Sequence, residues 1–276
     1  MKYLNLVLLL VFTGFAYGQS PAFSVKKYGS GEPILLLPGF ATPGEVWQET
    51  AEALPSYQHY MITYAGFGSQ PAVKMPWYEK IKDGLVAYII EEDLKGLSLI
   101  GHSMGGNLAV DIAAALPQRI DKLILLDALP CMRELMMPGV KAEQITYDNP
   151  YNQQMLTMDR ATFGQTVNTM ASRMTADSLR ILQLTEWMLN SDRTTFVHGY
   201  TDLLRLDLRS QLEKIEASTL VLGASFPDKE ITFGHFKDQY SNLASKRIVM
   251  APNSRHFIMW DAPAWMNQQI SDFMEQ

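Results

Sequence analysis

Gly101-His102-Ser103-Met104-Gly105-Gly106 holds a serine between glycines placed two residues to either side. A serine hydroxyl is a weak nucleophile, and a tight strand-to-helix turn is one way to present its oxygen clear of a sheet edge. Such a turn draws the backbone two positions before and after the serine against neighbouring elements. Gly101 and Gly105 suit those positions, and His102 takes a place set by the turn. The chemistry expected of Ser103 is nucleophilic attack on an acyl carbon, which also needs donors for the developing oxyanion and a general base.

For the donors, a strand-turn-helix nucleophile uses the backbone N–H of the next residue, Met104, and a second N–H from the loop after an earlier strand. Pro38-Gly39-Phe40 ends the first clear strand and makes Phe40 the candidate; an ordinary Pro-Gly turn is the plainer use of those residues. For the base, the histidines are His59, His102, His198, His235 and His256. His59 precedes a strand away from any end that could face Ser103. His102 is fixed beside the serine, His198 falls in an inserted segment, and His235 in a helix or loop. His256 remains, a few residues past the last strand and walled by Phe257, Ile258, Met259 and Trp260.

The elements that must position these groups follow from hydrophobic periodicity. Short apolar runs at 34–37, 61–64, 97–100, 123–126, 219–222 and 247–250 read as buried strands. Amphipathic stretches at 45–54, 77–92, 107–116 and 262–274 alternate with them, the pattern of a parallel sheet covered by helices. Between residues 129 and 217 the strands cease, and helical spacing continues over 178–189 and 196–206. This predicts an α/β core, 19–128 with 218–276, interrupted by a helical cap over 129–217. The cap segment holds eight of the sixteen methionines, Met132, Met136, Met137, Met155, Met158, Met170, Met174 and Met188. Flexible thioethers suit an adaptable apolar pocket, although each could equally pack the cap helices together. The charges Asp202, Arg205, Asp207 and Arg209 read as a solvated helix face.

Leu37-Pro38-Gly39-Phe40, the Gly101–Gly106 turn and Arg255-His256-Phe257-Ile258-Met259-Trp260-Asp261-Ala262-Pro263 together resemble the α/β-hydrolase superfamily over nearly the whole chain. The resemblance implies an eight-stranded, mostly parallel sheet with a helical cap inserted after the sixth strand, and a triad in the order serine, acid, histidine. It places the acid most commonly just past the penultimate strand, where Asp228 lies five residues beyond Gly223. Asp127, ending the strand at 123–126, matches an alternative placement. An orienting carboxylate needs a rigid place near the sheet edge, which favours Asp127 and leaves Asp228 as the alternative. Binding local backbone amides is the ordinary use of a strand-end aspartate.

The expected activity is hydrolysis of an ester or similar acyl compound, small and apolar or aromatic. A slow or non-catalytic binding protein on the same fold is the rival, and carbon–carbon bond hydrolysis, perhydrolysis and acyl transfer use like constellations. No metal or cofactor is expected: there is no His-Glu-x-x-His, no cysteine pair and no Gly-Lys-Ser/Thr loop, and Gly66-Phe67-Gly68 lacks the third glycine of a dinucleotide turn. A formal charge of −6 over 276 residues, without a basic cluster, argues against nucleic acid. Lys2, the apolar run Leu4–Phe15 and Ala16-Tyr17-Gly18 read as an export signal cleaved near Gly18, too short to span a membrane. The exported chain would carry one cysteine, Cys131, expected as a buried small hydrophobe that forms no internal disulfide.

Overall fold

The computed structural model describes residues 22–276. The expected export signal, 1–18, lies outside them. Among the described residues there are seven strands: β1 Phe23–Gly29, β2 Glu32–Leu37, β3 Tyr57–Tyr64, β4 Leu97–His102, β5 Ile120–Leu126, β6 Ser218–Gly223 and β7 Lys246–Met250. They form one sheet in the order β1-β3-β2-β4-β5-β6-β7. Only β1 runs antiparallel, against β3. The resemblance implied eight strands; seven lie among the described residues, which begin at residue 22. The helical insertion follows the fifth of the described strands; the resemblance placed it after the sixth of eight.

The central strands are apolar because both faces are covered. Every residue of β4 is buried, as are Ile34 to Leu37 of β2 and Leu123 to Leu126 of β5, which is what a parallel strand under helices on two sides requires. β1 differs. As an edge strand it exposes Lys26 and Lys27, charges that discourage pairing with another chain.

The helices are α1 Gln48–Ala53, α2 Trp77–Glu91, α3 Met104–Ala115, α4 Met132–Met136, α5 Pro150–Thr157, α6 Arg160–Met174, α7 Ser178–Leu189, α8 Arg193–Arg205, α9 Lys229–Gln239, α10 Ile258–Asp261 and α11 Pro263–Met274. No helix among the described residues is long and apolar enough to cross a membrane. Helices α4 to α8 lie between β5 and β6. α3 starts three residues earlier than its apolar spacing suggests, because Gly105 and Gly106 carry no hydrophobic signal although both are buried.

One reading of the inserted segment is corrected. Asp202 does not face solvent; it is 7% exposed, and its Oδ2 accepts the Trp77 and Tyr78 N–H groups at 2.7 and 3.2 Å. Those are free donors at the start of α2, where the flanking Pro76 supplies no capping side chain. The Tyr147 hydroxyl donates to the other carboxylate oxygen. Asp202 therefore fastens α8 to the core. Asp207 and Arg209 do pair near the surface, at 2.6 Å, an arrangement worth little stability on its own.

Candidate active site

The sheet reverses its winding between β2 and β4: β3 lies on one side of β2 and β4 on the other. In open α/β sheets the crevice beyond the strands' carboxyl ends at such a point is where ligands bind. Phe40 follows β2 and Ser103 follows β4 there, with Asp127 just past β5 and His256 in the loop after β7.

Ser103 sits at φ 53°, ψ −123°, a left-handed backbone that a serine adopts only under constraint. Its N–H donates to Leu126 O at 2.8 Å and its carbonyl accepts from Gly106 N at 2.8 Å, so β5 and α3 hold the turn from either side. The two flanking glycines are obligatory on steric grounds. A Cβ on Gly101 would fall 2.4 Å from the Gly105 carbonyl oxygen, and one on Gly105 only 2.1 Å from Leu37 O. Among the described residues six non-glycine positions have positive φ, and four of them, Ala41, Ser103, Asp127 and Asn253, lie in the loops that meet at this crevice.

The Phe40 turn is held by its own side chain. The Phe40 ring packs on Phe67, Trp77, Phe196 and Tyr200 with centroids 5.0 to 6.0 Å apart, so α8 buttresses the turn from above. Met104 opens α3, and a first-turn N–H has no carbonyl a turn earlier to satisfy it. The positive end of the helix macrodipole points the same way.

His256 Nδ1 lies 2.6 Å from Asp127 Oδ2. The other carboxylate oxygen accepts the Ala224 N–H at 2.9 Å, which fixes the carboxylate plane, and Asp127 N is itself held by Leu222 O at 2.8 Å. Asp228 goes elsewhere: it caps α9, accepting from Ile231 N at 2.9 Å. The loop bearing His256 is tied to the inserted helices. Arg255 donates to Ser172 O at 2.5 Å and Thr175 O at 3.0 Å, satisfying carbonyls at the end of α6. Arg255 N and Thr175 Oγ1 both bond the Asp261 carboxylate. His59 and His198 stand apart, the first bonded to Leu54 O and the second against the Tyr147 ring.

Ser103, Asp127 and His256 line a cavity of about 340 Å³ whose walls are mostly apolar, among them Leu129, Leu135, Leu203, Phe226, Ile231 and Phe236. Of the eight methionines in the inserted segment only Met132 reaches it; Met155 and Met188 are buried in packing, and Met136 and Met137 are exposed. His235 and Thr232, one turn apart on α9, were not foreseen in the wall. The sequence carries no periodic apolar signal there, since α9 buries only Phe236 and Gln239. Cys131 is fully buried, with its backbone N–H and C=O both bonded to the Gln239 amide; burial raises its thiol pKa above the ordinary value, which keeps it protonated and unreactive.

Residues 34–269 match the model of the Alpha/beta hydrolase family. The chain belongs to that family. A pimeloyl-[acyl-carrier protein] methyl ester esterase of Aeromonas hydrophila is 30% identical over 205 residues, 68% of this chain and 74% of that protein. The enzyme of the same name from Pectobacterium carotovorum is 25% identical over 254 residues, 88% of this chain and 94% of its own. Among solved structures, the esterase EaEST from Exiguobacterium antarcticum superposes with a TM-score of 0.76 at 18% identity, covering 94% of this chain and 99% of that one. The chain is thus an enzyme of the hydrolase class, of esterase type.

Proposed function

We propose that this hydrolase cleaves carboxylic esters of small, neutral, largely apolar acids through a Ser103-His256-Asp127 triad. The observation that carries the reading is the 2.6 Å bond from His256 Nδ1 to Asp127, made at the wall of the cavity that Ser103 also lines. A carboxylate there keeps the proton on Nδ1, which leaves Nε2 bare to accept one.

In this mechanism Ser103 Oγ attacks the ester carbonyl as His256 Nε2 takes its proton. The carbonyl oxygen becomes an oxyanion, held by the N–H groups of Met104 and Phe40. Collapse breaks the acyl–oxygen bond, and the alcohol leaves with the proton from His256. Water then attacks the acyl-enzyme, with His256 again as base, and releases the acid. The strained backbone at Ser103 favours turnover over mere binding, because a positive-φ serine costs about 1–3 kcal/mol and a receptor gains nothing from it.

The curated relatives act on a methyl ester of a carrier-bound pimeloyl chain; the proposal takes from them the ester class. No lysine or arginine lines the cavity, and its mostly apolar walls suit a neutral acyl group. A fluorophosphonate probe tests the assignment. It is expected to label the wild type at Ser103, to leave Ser103→Ala unlabelled, and to be competed by neutral short-chain esters in preference to acidic ones. Wild-type protein that stays unlabelled sinks the serine mechanism.

We also propose export, on the strength of Lys2, Leu4–Phe15 and Ala16-Tyr17-Gly18. Amino-terminal sequencing of protein recovered outside the cytoplasm is expected to begin at or near Gln19; full-length protein retained inside overturns it.

A further inference from the structure

His102 is fully buried between two parts of the site. Its Nε2 lies 3.0 Å from the backbone carbonyl of His256. A carbonyl only accepts, so Nε2 carries the hydrogen and Nδ1 is bare. That Nδ1 is buried without a partner, facing the Pro38-Gly39-Phe40 turn so closely that a Cβ on Gly39 would stand 2.7 Å from it. On its other side the ring touches the His256 and Phe257 rings, each with centroids 4.6 Å away.

A buried acceptor left unbonded is destabilising, and an apolar side chain would fill the same space without that cost. The imidazole keeps one thing an apolar residue lacks, the hydrogen bond to His256. Burial, and then the neighbouring His256 ring, hold its pKa well below the ordinary histidine value. It therefore stays neutral and sets no fixed charge beside the imidazolium that forms during catalysis.

We propose that His102 is a positioning residue: by donating Nε2–H to the His256 carbonyl while its ring abuts the Gly39 turn, it holds the general base in register with Ser103 and the oxyanion donors. The proposal rests on the triad reading above. His256 then has two anchors, Asp127 on its ring and His102 on its backbone. The second is carried by the residue that precedes the nucleophile, so any shift of the serine turn takes the base with it. Losing it frees the loop to drift, and a displacement of about 1 Å costs on the order of 10²-fold in rate.

The test uses His102→Leu, which fills the space without a donor, His102→Gln, whose amide nitrogen reaches as far as Nε2, and His102→Asn, which is too short. Rates are normalised to sites titrated with fluorophosphonate. His102→Leu is expected to lower kcat by roughly 10- to 100-fold with KM within about twofold, and to broaden or erase the low-field proton NMR signal of the His256–Asp127 hydrogen bond. His102→Gln is expected to keep that signal and most of kcat. Should the Leu variant not fold, Gln against Asn decides on the same readouts. Equal loss in the donor and non-donor variants, or a Leu variant within threefold of wild type, overturns the proposal. Failure of wild type to label at Ser103 overturns the triad reading instead.

Discussion

Asp127→Asn is expected to lower kcat by about 10⁴-fold while leaving the fold intact, and Asp228→Asn to change it by no more than a few-fold. The asymmetry follows from where each carboxylate is tied. Asp127 Oδ1 accepts the Ala224 N–H at 2.9 Å, and that amide requires an acceptor. An asparagine must therefore turn its oxygen to Ala224 and its NH₂ toward His256 Nδ1, which lies 2.6 Å from Oδ2 in the wild type. Two donors cannot share that contact. The imidazole answers by moving its hydrogen to Nε2, the wrong tautomer for taking a proton from Ser103. At position 228 the side chain only caps α9 through Ile231 N, a task asparagine performs as well as aspartate. Active-site-normalised kcat on one neutral ester checks both; Asp127→Asn within tenfold of wild type removes Asp127 from the mechanism.

The parts of this site that were legible in the sequence share one property: each is a local pattern. The Gly101–Gly105 spacing marks a sharp turn whatever surrounds it. The strand at 123–126 ends in Asp127, whose N–H donates to Leu222 O and carries the ladder one residue further. That rigidity is what singled out Asp127 over Asp228. What was not legible depends on tertiary placement. β1 alternates weakly, with its last four residues exposed, because an edge strand buries little. α9 carries Gly234 in its middle and only two buried side chains, so it shows no stripe, yet Ile231, Thr232, His235 and Phe236 of that helix form a wall of the cavity. Asp202 looked like one charge of an exposed helix face; its partners are N–H groups 124 and 125 positions away in sequence. The fold and the Gly101–Gly105 turn are written locally, whereas the walls of the cavity are written in contacts that no window of sequence contains.

Gly105→Ala carries the second large effect. Its new Cβ would lie 2.1 Å from Leu37 O and 2.4 Å from Pro38 O. Both are backbone atoms at the end of β2, so no side chain can turn aside. Either the start of α3 or the Pro38-Gly39-Phe40 turn must move by about an ångström. The first carries Met104 N and the second Phe40 N, so the proposed oxyanion donors separate whichever gives way, at a cost on the order of 10²-fold in kcat. Overpacking adds roughly 1–3 kcal/mol of destabilisation, a fall of several degrees in Tm. Gly234→Ala is the control: it lies inside α9 with nothing within 4 Å of its Cβ position, so it is expected to raise stability by about 0.5–1 kcal/mol. Measuring kcat well below the melting range, per titrated site, separates the two costs of Gly105→Ala. A variant that melts early but turns over within tenfold of wild type shows that the strain is absorbed away from the donors, and the placement of the oxyanion site between β2 and α3 fails with it.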